Sequence, residues 1–414
     1  MTISKEELGK RVRAAREAIS STQAELGSEI GLSRLAVGQI ENATRTVSSI
    51  ELDAIARETG RPLKFFLDRD LPPPDKFAVL FRSDPQFSNL AGLLKALRSS
   101  LELGREMTSL ESLLGVGHGK PRTASYELAV PTTKWEAIRQ GEEIAADDRQ
   151  RLGIGSAPIG DLPEVFEWQG VRTGMVALPD NVSGVTVWED QVGVCTLVNA
   201  RHAAVRRRFS LAHEYAHVLI DRGRSATISR AEDRHDLVEV RANAFAAQFL
   251  MPTEGVSDFV ASIGKGAASR SRFSVFDEAN VVQAEERTVP GSQDIQLHDV
   301  VMLSYHFKVS RISCLYRLRN LKFLTDKEFE HLKLQDDEGL GRGLAEFLNA
   351  EVGREDTNLN QDFRRRLLGL ALEASRREAI TDSKFAELVE LAGMNAEQAM
   401  KLIARSGVDQ PGAH

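Results

Sequence analysis

Apolar residues recur at three- and four-residue steps along most of this 414-residue chain, a pattern typical of amphipathic helices. In residues 6–18, for example, Leu8, Val12 and Ala15 share one face of the predicted helix. Residues 171–198 instead carry short β-branched runs that are typical of strands. The pattern predicts a multidomain, mainly α protein with one α+β core. Further helices are predicted over 87–115, 135–152, 299–318 and 361–406.

A possible metal site follows the predicted strands, at His213-Glu214-Tyr215-Ala216-His217. Apolar positions around it, such as Phe209 and Ile220, keep a helical period. Histidines four residues apart lie on one face of a helix, so both imidazoles can reach one metal ion. The glutamate after the first histidine can point toward a water on that metal, which is the arrangement of a zinc hydrolase. We expect Tyr215 to serve packing.

A third ligand is needed, because a bare pentapeptide of this kind can arise by chance. Residues 221–236 are polar and predict a loop, and residues 239–251 form a helical stretch that ends before Pro252. Glu239 lies on a face of small residues that can approach the metal helix closely, so we predict that it is the third ligand. The competing candidates in or beside the polar loop are Glu232, Asp233, His235 and Asp236.

These two segments, 208–214 and 239–252, together resemble the ImmA/IrrE family of metallopeptidases, and the likeness extends over residues 130–325. The resemblance implies a minimal thermolysin-like (gluzincin) α+β domain. It also implies that His213, His217 and Glu239 hold Zn²⁺, or another divalent ion such as Mn²⁺, and that Glu214 is the general base. Known substrates of the family are helix-turn-helix repressors.

The amino-terminal residues predict a helix-turn-helix. A polar cap precedes a short helix that Gly31 ends, and Ser33 caps the next helix after a tight turn. The segment resembles the Cro/C1-type (XRE) DNA-binding domain over residues 5–68, which implies a five-helix fold. The predicted core residues are Leu26, Ile30, Leu35, Val37 and Ile40, with Ile50, Leu52, Ile55 and Ala56 in the helices that follow.

In that fold the second helix of the motif presents its first residues to the major groove. Arginine suits guanine, and glutamine suits adenine or a phosphate. Two residues depart from the family pattern: Gly38 weakens the recognition helix, and Ala43 replaces the usual glycine. The predicted DNA-contacting residues are Gln23, Ser33, Arg34, Leu35 and Gln39.

Charge gives this domain little general attraction for phosphate. Residues 1–70 carry eleven Lys and Arg and eleven Asp and Glu, and the whole chain has a net charge of −7. We therefore expect specific binding to require two copies of the domain, as a homodimer on two-fold double-stranded operator DNA. The alternative is a helix-turn-helix that serves only packing or protein association.

Composition favours a cytoplasmic protein. The first residues lack an apolar signal core, and no apolar run reaches the length of a membrane span, which predicts no membrane association. Cys195 and Cys314 are the two cysteines, and we expect both to be buried thiols.

The chain divides into five predicted regions. Residues 185–188 are predicted as an edge strand for an extended substrate, and the polar segment 264–295 as a loop that covers the cleft. The regions are a helix-turn-helix domain (1–70), a linker and connector helix (71–130), a metallopeptidase domain (131–263), a flexible loop (264–295) and a C-terminal helical region (296–414).

Two functions are consistent with these motifs. The first is a transcription regulator with a metal-dependent endopeptidase domain, which cleaves a helix-turn-helix repressor or itself after a stress or ligand signal, with single-stranded DNA as a candidate activator. The second is a transcription factor whose peptidase-like domain senses a ligand or partner and hydrolyses nothing.

Overall fold

The computed structural model confirms the predicted fold class, with a helix-turn-helix region, a small mixed sheet and C-terminal helices. Residues 71–75, predicted as a stiff linker, lie outside the part of the chain that the structure describes. The described residues are 3–19, 21–61, 63–67, 90–116, 123–189, 192–222, 226–266, 270–277, 280–287, 293–352, 359–395, 397–399 and 401.

Five helices form the amino-terminal region: α1 (Lys5–Ala18), α2 (Gln23–Glu29), α3 (Arg34–Glu41), α4 (Ser49–Thr59) and α5 (Leu63–Leu67). Thr22, Ser33 and Ser48 cap α2, α3 and α4, since each side-chain oxygen accepts a hydrogen bond from a backbone N–H of the first turn. Val12, Ile40 and Ile55 are among the residues of the shared core.

Two of the predicted core residues in this region are wrong. Leu35 is 70% exposed and Ile50 is 81% exposed. Each lies in the first turn of its helix, on the side away from the core, and the later residues of α3 and α4 fill the core instead. Ala43 has a positive φ of 59°, which explains why a glycine suits this position.

The sheet contains β1 (Val171–Val176), β2 (Val182–Glu189), β3 (Gly193–Asn199) and β4 (Ala226–Arg230), in the order β1-β3-β2-β4. β1 runs parallel to β3, and the other pairs are antiparallel. The edge-strand prediction for residues 185–188 is wrong, because β2 is paired on both sides. The edge strands are β1 and β4, and β4 lies within the segment predicted to be a loop.

Helices cover both faces of this sheet. On one face lies α6 (Leu90–Leu114). Its Leu97 and Leu101 are buried against the strands of the same chain. The other face meets α9 (Ala204–Ile220), which is followed by a 3₁₀ turn (Glu232–His235) and α10 (Leu237–Leu250). Between α6 and β1 come α7 (Lys134–Arg151) and α8 (Leu162–Trp168).

α7 and α10 cross in close contact at Gly141. A Cβ on this residue would lie 2.3 Å from the carbonyl oxygen of Arg241 and 2.8 Å from the amide nitrogen of Phe245. Only glycine allows the two backbones to come this near, so α7 supports α10 along the side away from α9.

The remaining helices join two different cores. After α11 (Thr253–Ser262), strands β5 (Arg270–Asp277) and β6 (Asn280–Arg287) form a hairpin within the segment predicted to be a loop. α12 (Leu297–Phe307), α13 (Arg311–Asn320) and α14 (Asp326–Asp337) then share a core with α9 and α10. α15 (Leu340–Phe347) packs beside α12.

The last two helices, α16 (Leu359–Arg376) and α17 (Asp382–Leu391), pack against α6. Arg366, part of a basic run, donates hydrogen bonds to Glu111 and Glu167 at 2.9 Å each, so it ties α16 to α6 and α8. Both cysteines are buried free thiols, as the sequence predicts. Among the described residues, no helix has the length and apolar character of a membrane span.

Candidate metal centre and nucleic-acid interface

α9 presents His213 and His217 on one face, as their four-residue spacing predicts. Its apolar residues pack into the main core, and α10 lies alongside it. Asp236 caps α10 by accepting a hydrogen bond from the backbone N–H of Val238, which places Glu239 in the first turn of that helix.

The three predicted ligands converge. The Nε2 atoms of His213 and His217 are 3.2 Å apart, and they lie 3.0 and 3.4 Å from the two carboxylate oxygens of Glu239. Ligands of a tetrahedral zinc ion at about 2.1 Å would be separated by about 3.4 Å. The three residues therefore form a buried group that could hold a metal ion.

The outer nitrogens of both histidines are held by acceptors. His213 Nδ1 donates to Asn243 Oδ1 at 3.0 Å, and His217 Nδ1 donates to Asp221 Oδ2 at 2.8 Å. Asp221 in turn accepts a hydrogen bond from Arg241 at 2.7 Å. Because an acceptor holds each Nδ1, each Nε2 faces the centre and would direct its lone pair to a bound metal ion, as a metal-ligating histidine does.

The electrostatics of this group favour a positive charge at its centre. Burial alone would lower the pKa of His217, but hydrogen bonds to Asp221 and Glu239, with the charges of Glu214 and Glu239, raise it to about 10. Burial would raise the pKa of Glu239, but hydrogen bonds from the two histidines hold it well below its usual range. Lone pairs this close require a proton or a cation between them, so the donor set fits a divalent ion.

Glu214 lies against β2 beside this group and is fully buried. The hydroxyl of Thr186 donates to Glu214 Oε2 at 2.7 Å, and Thr196 lies 3.2 Å from Thr186 in the same chain of hydroxyls. Glu214 Oε1 has no hydrogen-bond partner among the described residues. One oxygen is thus held by the sheet, and the other is available to accept a proton.

The other sequence candidates lie outside the centre. Tyr215 is buried in the core, where its ring stacks on Phe166 with the ring centroids 4.0 Å apart. Its hydroxyl donates a hydrogen bond to Asp148, and both contacts agree with its predicted packing role. Among the described residues, the acidic and histidine side chains of 232–236 do not join the metal-ligating group.

Sequence reasoning missed the groups that orient the ligands. Asp221 is four residues after His217, and Asn243 is four residues after Glu239, so helical spacing could have revealed both. Thr186 and Gly184 depend on strand pairing, which the sequence does not specify.

The predicted DNA-contacting residues lie along one part of the helix-turn-helix. Ser33, Arg34, Leu35 and Gln39 are exposed on α3, and the Ser33 hydroxyl also caps that helix. Gln23, at the start of α2, is half-buried and donates to Glu41 at 2.8 Å. Its amide faces Gly38, where a Cβ would lie 3.4 Å from the amide oxygen. Gln23 is thus engaged within the domain, while the four α3 residues are open to a ligand.

Two family models match parts of the chain. Residues 179–281 match the peptidase family M78 model described as the IrrE N-terminal-like domain, and residues 12–66 match the model described as helix-turn-helix. The chain therefore combines a helix-turn-helix domain with an IrrE N-terminal-like domain. The IrrE N-terminal-like match, residues 179–281, includes all three converging ligands and indicates a metallopeptidase-like domain.

Other comparisons add little. No curated protein matches the chain. One similar solved structure is PlcR of Bacillus thuringiensis in complex with the peptide PapR7 and DNA, at 10% identity over 98% of this chain and 100% of that chain. Its TM-score of 0.14 is too low to support an argument about function.

We predict that Asp221→Ala weakens zinc binding by about 10- to 100-fold although it removes no ligand, because the His217 ring loses its anchor. Asp221→Asn should lose less, since the amide oxygen can still accept from Nδ1. Competition against a chromophoric chelator measures the affinity. Tyr215→Phe is the control, because its hydroxyl contacts Asp148 and not the centre. Unchanged affinity in Asp221→Ala would show that the anchor is irrelevant.

Proposed function

We propose that this protein is a DNA-binding transcription regulator with a metal-dependent endopeptidase domain. In this proposal it acts in the cytoplasm and cleaves a helix-turn-helix repressor or its own chain after a stress or ligand signal. The observation that carries the proposal is the convergence of His213, His217 and Glu239 beside the unpartnered Oε1 of Glu214. The attached helix-turn-helix links this chemistry to gene control.

In the proposed mechanism, His213, His217 and Glu239 hold Zn²⁺, with Mn²⁺ as the other candidate ion. When bound, the ion supplies Lewis-acid polarisation of a peptide carbonyl and lowers the pKa of a water. Glu214 Oε1 accepts the proton that the attacking water loses and then delivers it to the departing amine. Thr186 holds the second carboxylate oxygen, so the base keeps one orientation during both transfers.

Among the described residues, β4 offers an extended substrate an approach to this site. β4 is an edge strand, and it leads through the 3₁₀ turn to the helix that carries Glu239. An extended peptide could pair with its free edge and bring a carbonyl toward the metal centre. We therefore propose for β4 the role that the sequence suggested for residues 185–188.

The proposed DNA contacts are those of α3. Ser33, Arg34, Leu35 and Gln39 are exposed at its amino-terminal and outer side, where a recognition helix meets base edges. We propose that Arg34 reads a guanine, that Gln39 contacts adenine or phosphate, and that a homodimer occupies a two-fold operator. Gln23 lies beside them with its amide engaged by Glu41, so it supports the motif from within the domain. Because the domain is formally neutral, these specific contacts have to supply most of the affinity.

The second candidate, a non-proteolytic sensor, is favoured by the burial of the centre. His213, Glu214, His217 and Glu239 are exposed by 5%, 0%, 0% and 9%. A peptide must gain access to all four groups before it can be cut, whereas a sensor needs only a small ligand or a partner at the surface. Cleavage assays separate the two functions.

We predict that metal-loaded full-length protein produces discrete fragments of itself or of a random peptide pool, and that Glu214→Gln cuts at least about 10²-fold more slowly. The assay uses mass spectrometry of new termini, with and without Zn²⁺ or Mn²⁺, a bound duplex and an oligo(dT) strand. Glu232→Gln is the control, since this carboxylate is exposed and lies outside the centre. If neither protein cuts anything while both bind the same duplex, the sensor function replaces the peptidase.

We predict that Arg34→Ala weakens binding to a duplex selected from a random pool by about 1–3 kcal/mol, because a guanine loses its bidentate partner. Electrophoretic mobility shift at fixed salt gives the affinity, and elemental analysis gives the zinc content, which should stay constant. Lys327→Ala, an exposed change on α14, is the control. Full affinity in Arg34→Ala would contradict the assignment of α3 as the recognition helix.

A further inference from the structure

Three buried oxygen atoms without hydrogen-bond partners among the described residues belong to neighbouring elements. They are Glu214 Oε1, Thr227 Oγ1 and Ser229 Oγ. Thr227 is 6% exposed and Ser229 is 2% exposed. Folded proteins pair nearly all buried polar groups, so a group of unpaired ones beside a candidate active centre points to a bound partner.

Strand pairing places the two hydroxyls on the same face of the sheet as Glu214. In the antiparallel register, Thr227 lies opposite Thr186 and Ser229 lies opposite Gly184. Directly opposite residues project from the same face. Thr186 bonds to Glu214, so that face is turned toward α9. Ile228, between the two hydroxyls, packs on the other face with the core beneath α6.

Gly184 lets the carboxylate of Glu214 lie directly against β2, beside the position opposite Ser229. A Cβ at this position would lie 2.6 Å from Glu214 Oε1 and 2.8 Å from its Cγ. Opposite residues of an antiparallel pair have Cβ atoms about 4.5–5.5 Å apart. The hydroxyl of Ser229 and the free oxygen of Glu214 therefore flank the same glycine, and Thr227 lies two residue pairs further along the β2–β4 ladder.

We propose that Thr227 and Ser229 are substrate-contacting residues whose hydroxyls hydrogen-bond to peptide groups of an extended polypeptide beside Glu214. Each peptide unit offers one donor and one acceptor, and a hydroxyl can match either. A carboxylate oxygen can only accept, so it complements a water or an N–H. This inference rests on the proposed peptidase function and adds residues that bind the substrate backbone.

The proposal differs from a structural role in its effect on stability. A hydroxyl that supports the fold has partners, and its removal destabilises the protein. A buried hydroxyl that binds substrate has none in the free protein, so replacing it by a methyl group (Thr227→Val) or removing it (Ser229→Ala) should leave stability unchanged or higher. Thr227→Val and Ser229→Ala therefore should impair peptide binding without lowering the melting temperature.

Two probes separate the peptide contacts from the metal. Acetohydroxamate carries a metal-binding group alone, and benzyloxycarbonyl-Leu-Gly-hydroxamate adds a peptide. We predict that zinc-loaded full-length protein binds the peptide probe more tightly than acetohydroxamate. Thr227→Val and Ser229→Ala together should reduce the ratio of the two affinities about tenfold or more. Acetohydroxamate affinity, zinc affinity and melting temperature should not fall. Ser183→Ala is the control, because the Ser183 hydroxyl already donates to the Ser229 carbonyl at 3.1 Å.

Each other outcome contradicts the proposal. An unchanged preference for the peptide probe would show that the hydroxyls meet only water. A lower melting temperature together with weaker acetohydroxamate binding would show that they support the fold. A wild-type protein that binds zinc but neither probe would refute the peptidase function itself, and the inference would fail with it.

Discussion

Glu239 reaches from α10 to both histidines of α9, and this three-way contact brings opposite charges together where little water is present. Each of the three residues is at most 9% exposed, so none could remain buried and charged without the others. The ion pair between Asp221 and Arg241, at 2.7 Å, joins the same two helices beside the centre. The relative position of α9 and α10 therefore determines whether the centre exists.

Other parts of the fold keep these helices in place. Gly141 lets the backbones of α7 and α10 come into contact. The small side chains of Ala242 and Ala246 let α10 pack closely within the core. On the other side, β2 contacts α9 through Thr186 and Gly184, which set the position of Glu214. The general base and the ligands are thus oriented by different elements, the base by the sheet and the ligands by a neighbouring helix.

The metal ligands could be predicted because they depend on local geometry. The spacing of His213 and His217 places them on one face of any helix, and the small residues around Glu239 indicate a closely packed partner. Strand pairing is a long-range property, so the interior position of β2 could not be predicted from its own residues. The strand β4 could not be predicted because its five residues are mostly polar. Leu35 was assigned to the core from its apolar character alone, but its place in the first turn of α3 leaves it 70% exposed. The domain boundaries, the base and the DNA contacts stay predictions.

The central claim is that one metal ion is held by α9 and α10 together. Anomalous diffraction at the zinc edge from crystals of zinc-loaded protein tests it most directly. The account predicts a single strong peak about 2.0–2.2 Å from His213 Nε2, His217 Nε2 and a carboxylate oxygen of Glu239. A peak on the acidic and histidine side chains of residues 232–236, or none near α9, would contradict it.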